Sequence, residues 1–359
     1  MAQANILFTS LRLGSTTIPN RIGMSAMTRN RAAKGSIPTE LMQEYYVQRA
    51  TSGVGFIVSE QVAISSQGSQ WEDLPGMWTD EQLGHSGRTS HPDAALQKAS
   101  GEPVYGPSAI AARGGKFRFL PGEPGYVVPT PIPNPRTIIA QYKHAALNAK
   151  RAGFDGVELH AASGLLISQF LDSKANQRTD EWGGSPVNRV RFALETLDAL
   201  REVWGKDVSL KISPANGTND VGMPLEETIA TFGYLLKEVD TRGLAYVSIV
   251  RYNAQKDAVY DGKPRGTPHD VLATYAPFLS NTNLFANGGV TPTEAVSLLS
   301  ATEPRVDGVF FGAPFIAHPD LPQRISQGKP LDNALKFAYL YDKLEEDWTV
   351  GYTDYPRAI

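Results

Sequence analysis

Short apolar runs alternate with longer amphipathic segments along most of the chain. The apolar runs are rich in β-branched residues and have the length of buried strands. They predict strands at residues 21–26, 54–60, 155–160, 208–213, 244–250, 283–287 and 307–312. Between these runs, apolar residues recur every three or four positions, which is typical of helices packed on one face. The helical patterns lie within residues 38–51, 135–153, 188–205 and 224–243.

This order of elements predicts an α/β fold with a parallel sheet. Strands that are apolar at nearly every position are buried on both faces, so helices must cover the sheet. The number of strand–helix repeats in one chain favours a closed (β/α)8 TIM barrel over an open sheet. We therefore expect one barrel domain over residues 1–359. It should carry an N-terminal hairpin around Gly14 and a long loop, rich in Pro and Gly, at about 103–135.

One unit of the barrel is missing from the pattern. A (β/α)8 barrel needs eight strands, and only seven are found. The gap falls between the strands predicted at 54–60 and 155–160. The next helix and strand should follow residues 79–80, but the chain runs from TDEQ directly into LGHSGRTSHP. The sequence thus predicts a barrel that lacks one helix–strand unit near residues 81–82.

The composition excludes several classes of protein but does not indicate a reaction. Hydrophobic residues make up 41% of the chain and charged residues 20%, which is ordinary for a soluble globular protein. A net charge of −3 argues against a nucleic-acid partner, and no apolar run approaches the ~18 residues of a membrane span. No cysteine is present, so disulfides and thiolate metal ligands are excluded. We expect a cytoplasmic protein with no membrane partner and no metal site.

Candidate chemistry lies where the predicted strands end, because barrel enzymes bind substrates at the carboxyl ends of their strands. Residues there include 25–28, 60–61, 82–85, His160, Lys211, 287–289 and 312–313. The last two segments are glycine-containing turns that open helices. Such turns let backbone N–H groups approach a phosphate closely. Phosphate sites on this fold follow the seventh and eighth strands, which is where both turns lie.

Several motifs resemble the old yellow enzyme family of FMN-dependent ene reductases. The matching segments include LFTSLRLGSTTIPNRIGMSAMTRNRA, QLGHSGRTSHP, GFDGVELHAASGLLISQFLD, NQRTDEWGGSPVNRVRF, FGAPFIAHPDL and GYTDYP. The resemblance implies an eight-stranded barrel that binds FMN at the strand ends and uses NAD(P)H as reductant. It implies a small-molecule substrate, an enone or enal, whose β-carbon receives a hydride. A monomer or a homodimer is expected.

The resemblance also assigns roles to residues. His160 and Ser163 match the two residues that bind the substrate carbonyl. Thr28 matches a flavin hydrogen-bonding residue, and Gln82 one at the pyrimidine edge of the ring. Other cofactor-binding positions are Ala26, Met27, Gln61, Lys211, Gly288, Gly289, Gly312 and Ala313. His85, in the family's HxGR motif, and Tyr252, a possible substitute proton donor, are candidate substrate-binding residues.

Several of these positions depart from the family's usual residues. Ser163 replaces an Asn or His, and Leu165 replaces the tyrosine that protonates the α-carbon. Lys211 and Ala313 each replace an arginine that contacts FMN. In addition, Ala26 replaces a proline, and Gln61 a small residue that lies near the ring. The chain therefore lacks the family's acid and part of its flavin contacts.

These departures leave three hypotheses open. The first is an FMN-dependent oxidoreductase that reduces or isomerises the C=C bond of an α,β-unsaturated carbonyl compound, with altered protonation. The second is a flavin-independent isomerase or cyclase that uses the pocket at the barrel top. The third is an inactive paralogue, or a defective gene product that folds poorly. Bound flavin would separate the first hypothesis from the others.

Overall fold

The computed structural model describes residues 6–69, 71, 73–76, 84–115, 125–341 and 346–358. Its strands are β1 Leu11–Leu13, β2 Thr16–Ile18, β3 Ile22–Met24, β4 Phe56–Ile57, β5 Tyr105–Gly106, β6 Thr130–Pro131, β7 Val157–Ala161, β8 Val208–Ile212, β9 Tyr246–Val250, β10 Val259–Tyr260, β11 Lys263–Pro264, β12 Asn283–Asn287 and β13 Gly308–Phe311. Its helices are α1 Glu40–Ala50, α2 Ala95–Ala99, α3 Pro135–Arg151, α4 Leu166–Leu171, α5 Pro186–Trp204, α6 Leu225–Arg242, α7 Val271–Tyr275, α8 Pro292–Ser300, α9 Ala313–Ala317 and α10 Leu321–Gln327.

Within the described part of the chain, seven parallel strands form one curled sheet in the order β4-β3-β13-β12-β9-β8-β7. All seven predicted strands are present, although β3 and β4 are shorter than their apolar runs. The four long predicted helices are α1, α3, α5 and α6, and β1 and β2 form the predicted N-terminal hairpin. The sheet is that of an α/β barrel, as the sequence predicts.

Alternation along the strands divides the barrel wall into two faces. Leu159, Leu210 and Val247 have no exposed surface and belong to the main apolar core. Successive side chains of a strand point to opposite faces, so Glu158 and Lys211 lie on the other face, in the barrel interior. Along β7 and β8, polar residues inside the barrel therefore alternate with apolar residues beneath the helices.

Local signals fix where the helices begin. The side-chain oxygens of Asn134 and Ser185 accept hydrogen bonds from Arg136 N and Asn188 N, which caps α3 and α5. A proline follows each cap at the first helical position, where its missing N–H costs nothing. Gly243 ends α6 in a left-handed conformation (φ 59°). These helices begin and end close to the predicted bounds.

Among the described residues, β4 and β7 lie at the two edges of the sheet, and each pairs with one neighbour. Residues 84–85 form hydrogen bonds with the chain that follows β4 and with the chain that follows β7, near the carboxyl ends of these strands. Gly84 O accepts a hydrogen bond from Ile64 N (2.9 Å), and His85 O accepts one from Leu166 N (3.1 Å). Residues 81–82, where the sequence predicts the deletion, lie outside the described part of the chain.

The predicted loop at about 103–135 contains a short strand pair, β5 with β6, which the sequence did not indicate. Helix α2, just before the loop, was also not predicted. Within the loop, Arg113 N donates a hydrogen bond to Asp220 Oδ2 (2.9 Å), and the Arg113 side chain pairs with the same carboxylate. The described part of the loop is thereby held against the chain that follows β8.

Candidate active site

A cavity of about 1390 Å³ opens at the carboxyl ends of the strands. It also extends along the gap between β4 and β7 toward the base of the barrel. There it reaches Leu13 and Ile18 of the N-terminal hairpin. The cavity is therefore deeper than a pocket confined to the top of the barrel.

His160 lies near the end of β7 and lines this cavity. Its Nδ1 atom is buried and has no hydrogen-bond partner among the described residues. Burial, with a smaller contribution from the Lys211 ammonium group, lowers the pKa of His160 to about 3. The imidazole is therefore neutral at pH 7 and carries one N–H, which can donate a hydrogen bond to a ligand.

Ser163 and Leu165 follow His160 and also line the cavity. Ser163 has a left-handed backbone (φ 59°), held by hydrogen bonds from Ser163 N to Ser213 Oγ (2.9 Å) and from Asn219 Nδ2 to Ser163 O (2.7 Å). Leu165 is 3% exposed. The cavity wall at this position is the aliphatic side chain of Leu165, which cannot donate a proton.

Three polar side chains meet at the ends of β3, β8 and β12. The hydroxyl oxygen of Ser25 accepts hydrogen bonds from Lys211 Nζ (3.3 Å) and Asn287 Nδ2 (3.1 Å). All three residues line the cavity. Burial lowers the pKa of Lys211, while the Glu158 carboxylate opposes this shift. Lys211 and Asn287 therefore provide hydrogen-bond donors for the polar atoms of a ligand in the cavity.

The two predicted glycine turns lie side by side, after β12 and β13, and both line the cavity. Gly288 and Gly289 have positive φ angles of 95° and 67°, which favour glycine. Gly312 precedes α9, whose first residue is the exposed Ala313. The structure thus brings together the two turns that the sequence assigned to a phosphate, with no cation at position 313.

Ala26, Met27, Thr28 and Gln61 also line the cavity. The Gln61 side chain lies against Gly84, where an added Cβ would come within 2.7 Å of its Cγ atom. This side chain therefore packs toward the segment that spans the gap. Gln82 lies outside the described residues.

Two candidate substrate-binding residues are not among those that line the cavity. His85 is buried: its Nδ1 accepts a hydrogen bond from Gly87 N (2.9 Å), so its Nε2 donates to Gln67 Oε1 (2.6 Å). Burial lowers its pKa to about 3. The Tyr252 hydroxyl donates to Asp257 Oδ2 (3.0 Å). In this structure the polar atoms of both side chains form hydrogen bonds with residues of neighbouring loops.

Sequence reasoning missed polar residues inside and above the barrel. Glu158 and Tyr246 line the cavity below His160, and Lys256 and Asn216 line its upper part. Glu158 stands two positions before His160, so strand alternation could have revealed it. Lys256 lies in an irregular segment after β9, where no periodic pattern marks it.

Among the described residues, no group of three or more His, Cys, Asp or Glu side chains could hold a metal ion. Among the same residues, every helix is too short or too polar to cross a bilayer. The fold is that of a (β/α) barrel, and a glycine turn and a neutral histidine line the cavity at its strand ends.

Comparison with known proteins identifies the family. The model of the NADH:flavin oxidoreductase / NADH oxidase family matches residues 6–88 and 135–332. The chain belongs to this family, which includes the old yellow enzymes. The family model does not match residues 89–134, which contain most of the long loop.

Individual relatives cover almost the whole chain. Aldehyde reductase FrzD of Cladobotryum sp is 34% identical over 373 residues, covering 99% of this chain and 96% of the relative. The probable inactive reductase easA of Epichloe festucae var. lolii is 30% identical over 378 residues, covering 98% of this chain and 94% of the relative. The solved structure of morphinone reductase is 35% identical with a TM-score of 0.83, covering 99% and 98%.

Family membership defines the general chemistry. The chain is an old yellow enzyme-like, NAD(P)H-dependent flavin oxidoreductase whose cofactor is FMN. Its relatives include a protein named as inactive. The residues of its own cavity must therefore indicate what it does.

Proposed function

We propose that the protein reduces the C=C bond of an α,β-unsaturated carbonyl compound, an enone or enal, with NAD(P)H as reductant. The observation that carries this proposal is the neutral His160 imidazole, which lines the cavity. A neutral imidazole carries one N–H donor. A carbonyl oxygen bound in the cavity would accept a hydrogen bond from His160.

The residues of the cavity fit an FMN. Gly288 and Gly289 form a turn with positive φ angles, and a Cβ added to Gly289 would meet one atom within 4 Å, a nitrogen of Arg251. This open turn would hold the phosphate through backbone N–H groups. Thr28, Lys211 and the Ser25 and Asn287 side chains would hold the ring and its polar edge. When bound, FMN supplies hydride chemistry.

The chain's own side chains then bind and polarise the substrate. The His160 N–H would donate a hydrogen bond to the carbonyl oxygen and draw electron density from the alkene. Ser163 would add a weaker second contact, since its hydroxyl is short. Leu165 gives no proton to the α-carbon, so solvent in the open cavity would deliver it. Such a site would favour slow reduction, or isomerisation of the same alkene.

The test is binding and turnover by the purified protein. After incubation with FMN and desalting, the protein should retain the visible absorbance of oxidised flavin. It should then oxidise NADPH or NADH faster in the presence of 2-cyclohexenone. His160→Ala should lose the enone-dependent rate but keep the flavin. His144→Ala, which changes a histidine on α3 that does not line the cavity, is the matched control.

Two results would contradict the proposal. A protein that retains no flavin after incubation with FMN would favour the flavin-independent or inactive alternative. A His160→Ala variant with the wild-type enone-dependent rate would remove His160 from the carbonyl site.

A further inference from the structure

Arg251 extends from the end of β9 to the glycine turn after β12. Its Nε donates a hydrogen bond to Gly288 O (2.9 Å). A Cβ added to Gly289 would lie 3.7 Å from Arg251 Nη2. Arg251 also lines the cavity together with both glycines. The guanidinium group therefore stands at the edge of the turn that is open to a ligand.

The hydrogen-bonding capacity of this guanidinium is not used up. Its Nη1 donates to Glu294 Oε1 (2.6 Å) and its Nη2 to Glu294 Oε2 (3.3 Å). With the bond to Gly288, three of the five N–H donors of an arginine are used. One N–H on each Nη atom has no partner among the described residues. The side chain is 26% exposed, so a ligand can reach it.

Glu294 orients the group. This carboxylate lies in the first turn of α8, the helix that follows the glycine turn. The ion pair with Arg251 lowers the pKa of Glu294, which therefore stays ionised. The paired carboxylate fixes one edge of the planar guanidinium fork and leaves other N–H groups for a second anion.

We propose that Arg251 is a phosphate-binding residue of the FMN site, supplying from β9 the cation that position 313 lacks. The proposal rests on the proposed function, because it assigns one contact of the same cofactor. Arg251 would donate charge-assisted hydrogen bonds to the phosphate, in addition to those from the backbone N–H groups of Gly288 and Gly289. The glycine turn alone would bind the phosphate through neutral donors, which are weaker.

The test compares FMN with riboflavin, which has the same ring and ribityl chain but no phosphate. Flavin-free protein is titrated with each ligand, and flavin fluorescence is followed. Arg251→Gln should weaken FMN binding by about tenfold or more. Riboflavin binding should change by less than about twofold, because the lost contact is to the phosphate. Arg136→Gln, which removes an ion-paired arginine on α3 away from the cavity, should alter neither affinity.

The outcomes separate this inference from the proposed function. Equal weakening of FMN and riboflavin, or unchanged FMN binding, would overturn the role of Arg251 while leaving the flavin enzyme intact. A wild-type protein that binds neither ligand would overturn both. If Arg251→Gln does not fold, Arg251→Lys replaces it: a drop in the preference for FMN over riboflavin supports the phosphate contact, and an unchanged preference overturns it.

Discussion

The Tyr246 hydroxyl donates a hydrogen bond to Glu158 Oε2 across the interior of the barrel, at 2.9 Å. Both side chains line the cavity below His160. Burial raises the pKa of Glu158, while Lys211 and the Tyr246 hydroxyl oppose that shift. This bond therefore helps to keep a carboxylate ionised beside the buried ammonium group of Lys211.

Tyr246→Phe should lower the free energy of unfolding by about 1–3 kcal/mol, because it leaves a buried carboxyl oxygen without its donor. Urea unfolding at pH 7 measures the loss. Tyr142→Phe is the matched control: Tyr142 is 1% exposed, and its hydroxyl makes no hydrogen bond to a described residue. Equal stability changes in the two variants would mean that the bond to Glu158 contributes nothing.

Acid should destabilise the protein through His85. Its pKa is about 3 in the folded protein and 6.5 when unperturbed, so between these values only the unfolded chain takes up the proton. This contribution to stability is complete above pH 6.5 and is lost as the pH falls toward 3. The loss is about 1.4 kcal/mol per pH unit for one histidine.

The corresponding measurement is urea unfolding of wild type and His85→Gln at pH 7 and pH 5. Wild type should lose about 2 kcal/mol more than the variant over this interval. The same loss in both proteins would show that His85 titrates normally in the folded state.

Leu165→Tyr should restore a proton donor at the cavity wall. A positioned general acid is worth ~10²–10⁴-fold in rate. The half-reaction that consumes the enone should accelerate, while flavin reduction by NAD(P)H, which needs no acid, should not change. Leu165→Phe adds the ring without the hydroxyl and is the control. Rapid mixing separates the two half-reactions. If the enone-consuming half-reaction of the wild type is already as fast as its flavin reduction by NAD(P)H, another group supplies the proton.

Ala313→Arg should raise FMN affinity by roughly tenfold, as a charge-assisted phosphate contact would. Ala313 is exposed at the start of α9, so a longer side chain has room. Fluorescence titration with FMN measures the affinity. Comparison with Ala313→Gln separates the effect of the arginine's positive charge from that of a longer side chain. Unchanged affinity would mean that an arginine at this position does not reach the phosphate.

The two sheet edges should exchange their amide hydrogens faster than the central strands. Strands β4 and β7 each pair on one side only within the described chain, whereas β9 and β12 pair on both. We expect fast exchange at residues 57–59 and 157–159, measured by mass spectrometry or NMR. Protection equal to that of β9 would show that the barrel closes in solution, which would refute the gap.

Strand alternation and apolar periodicity predicted the seven strands and four main helices, because both depend on burial that repeats locally. They also located His160, Lys211 and the glycine turns, since parallel strands end at one edge. The placements of His85 and Tyr252 were not predictable. Each depends on a polar partner, Gln67 or Asp257, in a loop whose path no periodic pattern encodes.

The left-handed backbone at Ser163 limits which residues could replace it. Branched side chains are strained at a φ near 59°, whereas Gly, Asn and Asp tolerate it. Of these, Asn also brings an amide N–H₂ into the cavity, with a longer reach than the serine hydroxyl. Ser163→Asn would therefore place a longer hydrogen-bond donor in the cavity at little conformational cost, because the backbone already has the conformation that asparagine tolerates.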